Sequence, residues 1–301
     1  MPLYIFNYEI TIHNNIAMDL IIISLITLGI IGAVSAIILF FVAKKFHIYE
    51  DPRIDEVEAA LPAANCGGCG YPGCRGFANA CVLAENLDGL LCPVGGNETM
   101  QKVATILGKE TKENAPTIAV VRCAGTGDHR RRKNAHDGGQ HCFIAHNLYS
   151  GETGCSWGCL GLGDCEVSCE FDAIKIHPST KLPEVDEEKC TSCGACVKAC
   201  PKMLIDLRKK GPKSRRIYVS CRNEDKGHIA RKACDVGCIG CSKCEKVCPH
   251  DAITVTNNLA FIHDDKCKLC RKCVEVCPTN SILEINFPPR KIKTEEEVTV
   301  H

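Results

Sequence analysis

Three segments of this 301-residue chain repeat cysteine at one fixed spacing, C-x2-C-x2-C-x3-C, each followed by proline. They are Cys190, Cys193, Cys196 and Cys200; Cys238, Cys241, Cys244 and Cys248; and Cys267, Cys270, Cys273 and Cys277. Thiols this close along the chain cannot pair with each other without strain. A tight loop can, however, turn three of them onto one concave face. An iron–sulfur cubane needs that arrangement, with the fourth cysteine beyond the loop serving the neighbouring cluster. Zinc takes four ligands and gives no reason for a third cysteine at the same interval, three times over. The total of 25 cysteines is odd and comes in runs. A secreted disulfide scaffold is shorter and evenly numbered, so these thiols belong to a reducing compartment.

The runs are part of a longer repeat. After Cys169, Cys200, Cys248 and Cys277 comes a short apolar, strand-like segment, at Ile174 to Ile176, Ile205 to Leu207, Ile253 to Val255 and Ile282 to Ile285. The four segments form two doublets. Cys123 before the first is echoed by Cys221 before the second, and Cys155-x3-Cys159 by Cys234-x3-Cys238. A duplicated two-cluster module follows. The fourth-cysteine exchange predicts one cluster on Cys238, Cys241, Cys244 and Cys277, and its partner on Cys267, Cys270, Cys273 and Cys248. In the first doublet it joins Cys190, Cys193 and Cys196 to Cys169. The remaining run has Leu162 where the middle cysteine should stand, which leaves Cys159, Cys165 and Cys200 one ligand short. Cys155 is the nearest replacement, and Trp157 beside it is expected to shield that cluster.

A further set, Cys66, Cys69, Cys74 and Cys92, lies in a Gly-rich frame of different spacing. It suits a fifth cubane, although spacing alone leaves zinc open. Cys81 reads as a buried small apolar residue on a helix. Cys123, Cys142, Cys221 and Cys234 read either as buried thiols or as the ligands of a sixth cluster. Around these cysteines, short helices are expected after Pro52, through Glu85, and from Glu98 to Lys109.

Residues 20–43 carry no charged side chain. A helix of that length reaches roughly 36 Å, enough to cross a hydrocarbon core. No Lys or Arg precedes it and Lys44, Lys45 and Arg53 follow it, which places the N-terminus outside and everything after residue 44 in the cytoplasm. A start at Met18 would leave this anchor whole. Lys and Arg number 36 against 36 Asp and Glu, so no uniform field points to nucleic acid. Basic runs at Arg130 to Lys133 and Arg208 to Arg216 are expected as solvated loops. No spaced histidine pair and no phosphate-cradling glycine loop is present.

The fold class expected is α+β: an N-terminus at 1–19, a transmembrane helix at 20–44, a small helical [4Fe–4S] domain at 45–112, ferredoxin-like modules at 117–212 and 213–288, and a charged tail at 289–301. With the anchor, the Asn65 to Cys74 loop and the two doublets in this order, the chain resembles the B subunit of Rnf electron-transport complexes. The loop is the most specific part of the resemblance, and the segment Gly158 to Cys165 is also similar to that family. The resemblance favours iron over zinc at Cys66 to Cys92, and makes Leu162 normal for the family. It also implies a role: electrons pass from reduced ferredoxin through about five [4Fe–4S] clusters, while flavin-binding, multi-span and NADH-oxidising subunits complete ferredoxin:NAD+ oxidoreduction coupled to Na+ or H+ movement. The rivals are a polyferredoxin subunit of another membrane oxidoreductase and a zinc-binding assembly protein. A C-terminal reporter is expected to be active only in a form that works in the cytoplasm; activity of a periplasm-dependent reporter would reverse the orientation.

Overall fold

The computed structural model describes residues 3–45, 50–149 and 151–289, in two compact units divided at Asp51 and Pro52. The charged tail expected at 289–301 lies, but for its first residue, outside the described residues. The first unit is helix α1, Leu3–Lys45. It begins well before the expected span because no proline or glycine occurs between Leu3 and Leu28 to interrupt it. Within it, Ile22–Lys45 has a mean hydropathy of 2.7 with no residue buried. An all-round apolar, wholly exposed helix is what a lipid-facing anchor requires.

The second unit opens with three helices, α2 (Arg53–Ala60), α3 (Gly73–Leu83) and α4 (Gly96–Leu107). Val57, Phe77, Ala78, Cys81, Met100 and Val103 meet in one core between them. Gly108, in the left-handed region at φ 62°, stops α4. Lys109 then turns back onto the end of α3, its ammonium donating to the carbonyls of Cys81 (2.7 Å), Val82 (3.0 Å) and Ala84 (2.6 Å). A cation there satisfies carbonyls that the helix leaves unpaired.

The rest of the unit is built twice. Strands β1 (Thr117–Val121), β2 (Ile174–Ile176), β3 (Pro183–Val185) and β4 (Ile205–Lys209) are followed by β5 (Arg216–Val219), β6 (Ile253–Thr256), β7 (Leu259–Ile262) and β8 (Ile282–Ile285). In each half the first strand pairs antiparallel with the last, β1 with β4 and β5 with β8, and the inner two form a hairpin. Short helices punctuate the halves: α5 (Cys142–Tyr149), α6 (Asp164–Val167), α7 (Ala195–Ala199), α8 (Gly227–Ala233), α9 (Lys243–Val247) and α10 (Lys272–Glu275). Alternation along β1 divides its side chains between two cores. Ala119 faces cysteines 165 and 196, while Ile118 and Val120 pack with Tyr218 of the second half.

The two basic runs are not simply solvated loops. Arg130, Arg208 and Arg216 are buried. Arg208 projects from β4 to the carbonyl of Ile262 (2.5 Å) and the carboxylate of Asp264 (2.7 Å), with its guanidinium 4.5 Å from the Phe261 ring centroid. Arg216 reaches back to Glu187 at 2.7 Å. Arginine in a charge-dense stretch thus joins the halves, because its fork satisfies a carbonyl and a carboxylate together. Arg208→Ala is expected to destabilise the chain by roughly 2–3 kcal/mol, below a fully buried pair because Asp264 keeps some water. Lys209→Ala, which removes the exposed partner of Asp265, is expected to leave the anaerobic unfolding midpoint unchanged.

Candidate iron–sulfur sites

Each cysteine run folds into the same loop, fixed by backbone sign. The residues on both sides of the middle cysteine lie in the left-handed region: Ser192 and Gly194 around Cys193, Gly240 and Ser242 around Cys241, Leu269 and Arg271 around Cys270. Such alternation turns successive amides inward and makes an anion-binding concavity. For non-glycine residues it costs about 1 kcal/mol or more each. At Arg271 a two-pronged ion pair to Glu284, at 2.7 and 2.6 Å, holds the turn. The degenerate run keeps this backbone, with Gly161 and Gly163 left-handed around Leu162. A second recurrence lies three residues after each fourth cysteine, where Asp172, Met203, Asp251 and Asn280 are all left-handed. This turn brings the following amide back to sulfur: Ala173 N–H donates to Cys169 and Leu204 N–H to Cys200, both at 3.4 Å.

These loops gather the cysteines around separate small pockets open to the surface. Cys66, Cys69, Cys74 and Cys92 rim one, and Cys169, Cys190, Cys193 and Cys196 another. Cys248, Cys267, Cys270 and Cys273 rim a third. Cys238, Cys241 and Cys277 surround the thiol of Cys244. Within the first site, Asn65 Oδ1 accepts the Cys74 amide at 2.8 Å and so closes the glycine-rich loop onto the start of α3. Among the described residues, no three Cys, His, Asp or Glu side chains converge tightly enough for a single metal ion. Four thiols spread around a wider cavity fit a multi-iron cluster better than zinc.

The structure differs from the sequence expectation at the incomplete run. Cys142, not Cys155, lines the cavity with Cys159, Cys165 and Cys200. Cys142 begins α5, whose first turn is tied down by Asp164, the neighbour of Cys165: the Phe143 amide donates to its carboxylate at 3.0 Å. No spacing rule could have found this, because the contact is made between segments that do not belong to one motif. Cys155 lines a different cavity with Cys123, Cys221 and Cys234, and Trp157 lies there too. Cys81 is fully buried in the helical core, as expected.

Burial raises several of these thiols above their ordinary range, and neighbouring cysteines add to it. Cys165 is pushed up to about 12 by burial, then by the charges of Cys142, Cys200 and Cys196. Cys196, at about 11, answers to burial and to Cys190, Cys193 and Cys169. Cys273, at about 12, answers to burial and to Cys267, Cys270, Cys244 and Cys248. Cys277 moves the other way. Burial raises it, but donors at Ser281 and Thr279 outweigh that and lower it overall. Crowded thiolates of this kind are stabilised together only by a cationic core, whose uptake releases their protons.

Residues 154–227 and 237–281 match the family described as 4Fe-4S dicluster domain, and residues 61–93 the family described as putative Fe-S cluster. Loop geometry, cavities and these matches together define an iron–sulfur protein of the ferredoxin class. The chain is 44% identical over 241 residues to the B subunit of the Na(+)-translocating ferredoxin:NAD(+) oxidoreductase complex of Acetobacterium woodii, covering 80% of this chain and 71% of that protein. It is 39% identical to the B subunit of the ion-translocating oxidoreductase complex of Methanosarcina acetivorans (81% and 90% covered). With the B subunit of the proton-translocating ferredoxin:NAD(+) oxidoreductase complex of Clostridium ljungdahlii it shares 40% (83% and 87% covered). The chain belongs to the B-subunit family of these Rnf-type complexes, as an iron–sulfur electron-transfer protein with one helix fit to be a membrane anchor.

Proposed function

We propose that this chain carries electrons from a reduced ferredoxin on the cytoplasmic side into an Rnf-type complex. There, flavin-binding, multi-span and NADH-oxidising partners would reduce NAD+ and move Na+ or H+. Five sets of cysteines would hold [4Fe–4S] clusters: Cys66, Cys69, Cys74 and Cys92; Cys169, Cys190, Cys193 and Cys196; Cys142, Cys159, Cys165 and Cys200; Cys238, Cys241, Cys244 and Cys277; and Cys248, Cys267, Cys270 and Cys273. Bound clusters supply one-electron chemistry, and the protein positions, seals and tunes them.

Contiguity is the observation that carries this reading. Gly68 of the first loop lies so close to Cys193 that a Cβ would stand 2.7 Å from its carbonyl oxygen. That contact sets the N-terminal site against the first module. Beyond burial, Cys165 feels Cys196 of the adjacent set, and Cys273 feels Cys244. The ends differ in access. Cys241 and Cys270 are exposed, whereas Cys193 is half-buried beside Gly68. A soluble donor therefore reaches the second module, and the N-terminal domain, next in sequence to the anchor, delivers electrons onward.

Two outcomes are expected. In the assembled complex Cys241→Ala should abolish ferredoxin-driven NAD+ reduction while NADH oxidation by an artificial acceptor at the flavin-binding partner survives; retention of the ferredoxin-driven rate would sink the assignment. Cys142→Ser should remove or convert the cluster of Cys159, Cys165 and Cys200, seen as a loss of up to about four iron per chain and a changed EPR spectrum. An unchanged iron content and spectrum in that variant would return the fourth ligand to another residue.

A further inference from the structure

Four arginines are buried among the described residues, and three of them are paired with a carboxylate: Arg122 with Asp206, Arg208 with Asp264 and Arg216 with Glu187. Arg130 is the fourth. It is 6% exposed and has no carboxylate partner among the described residues. One of its terminal nitrogens donates to the Cys159 carbonyl at 2.7 Å, and its Nε meets no acceptor among the described residues. Guanidinium groups stay charged inside proteins. A positive charge therefore lies against the backbone of the site formed by Cys142, Cys159, Cys165 and Cys200.

The fold makes room for this charge. A Cβ at Gly125 would stand 2.8 Å from Arg130 Cδ, and one at Gly158 would stand 2.8 Å from its Nη1. Neither glycine is in the left-handed region. Space for the arginine, and not backbone conformation, is what the missing side chains provide. The backbone of Arg130 is held by a bridge to Cys234, so the charge stands where the first module meets the second. A buried cation without a counter-anion is destabilising. The groups around it are thiols, and an iron–sulfur centre on four thiolates is a net anion that gains one more negative charge on reduction. Burial raises the Cys159 thiol and Cys123 adds to the rise, while the Gly161 amide and Arg130 oppose it.

We propose that Arg130 is a tuning residue, whose fixed charge raises the reduction potential of the centre held by Cys142, Cys159, Cys165 and Cys200. This rests on the reading of those four cysteines as a cluster site. The electron arrives from a neighbouring centre and leaves for the next. No bond is made or broken and no proton moves, because the compensating charge is already in place. A raised potential at this position draws electrons from the second module into the first. Arg131, Arg132 and Lys133, in the same stretch of sequence, are exposed and screened by water and salt. Arg130 acts because it is buried.

The test uses the full-length chain, purified anaerobically in detergent, with each cluster's midpoint followed by EPR-monitored redox titration. Arg130→Gln keeps a donor for the Cys159 carbonyl and removes the charge; Arg130→Lys keeps the charge; Arg131→Gln removes an exposed charge next to it. Iron and sulfide per chain are expected to match wild type in all three. One midpoint should move to lower potential in Arg130→Gln, stay near wild type in Arg130→Lys and be unmoved in Arg131→Gln. The signal that moves should be the one lost or altered in Cys142→Ser. The role is overturned if no midpoint moves in Arg130→Gln, if Arg130→Lys moves it as far, or if the moving signal survives Cys142→Ser unchanged. Iron loss in Arg130→Gln alone would still trace to the charge, whereas loss in both Arg130 variants would make Arg130 a scaffold residue and overturn the role too. A wild-type chain without iron would instead defeat the cluster reading itself.

Discussion

Crowding of thiols is the constraint on which the larger unit of this chain depends. Cys165, Cys196, Cys244 and Cys273 are all pushed up to about 11 or 12 by burial and then by the neighbouring thiols of their sites. No hydrophobic gain would assemble such groups, and the strands around them are only three to five residues long. Isolated two-stranded pairs of that length are marginal. The proposed clusters would therefore act as the core of each module, and Ile174, Ile205, Ile253 and Ile282 pack with the cysteines as an apolar shell.

Backbone strain serves the same end. Leu269 and Arg271 accept a left-handed conformation that glycine would adopt without cost. The result is a loop whose amides face inward and whose middle cysteine is exposed at the surface. Where Leu162 takes the place of that cysteine, the loop keeps its shape and a distant helix supplies Cys142. The fold thus separates two properties, a rigid concavity made locally and a complete thiol set made from whatever segment reaches it.

Buried arginines hold the halves in register. Arg122 and Arg208 stand 5.2 and 4.5 Å from the Phe261 ring centroid and pair with Asp206 and Asp264. Arg216 pairs with Glu187. Each spans from one module to an acidic or aromatic group that the other module, or its connecting segment, provides. Fixed separation matters to an electron carrier, since transfer depends steeply on distance. These ion pairs also keep positive charge close to sites that would gain electrons.

The sequence alone determined the three regular runs, their exchange of fourth cysteines and the twofold repeat, because each ligand loop is built from consecutive residues with a fixed interval. It determined the apolar span before Lys44 for a similar reason, since hydrophobic length is a local property. It could not assign Cys142 or Cys155. That Cys142, and not Cys155, lines the cavity of Cys159, Cys165 and Cys200 depends on how Asp164 anchors α5, a contact made between segments of different kind. Nor could it show that Arg130, in a stretch reading Arg-Arg-Arg-Lys, turns inward while its neighbours face solvent. Tertiary structure decided both, because a long side chain or a lone thiol is placed by the packing that surrounds it, and the spacing of its neighbours in sequence carries no record of that.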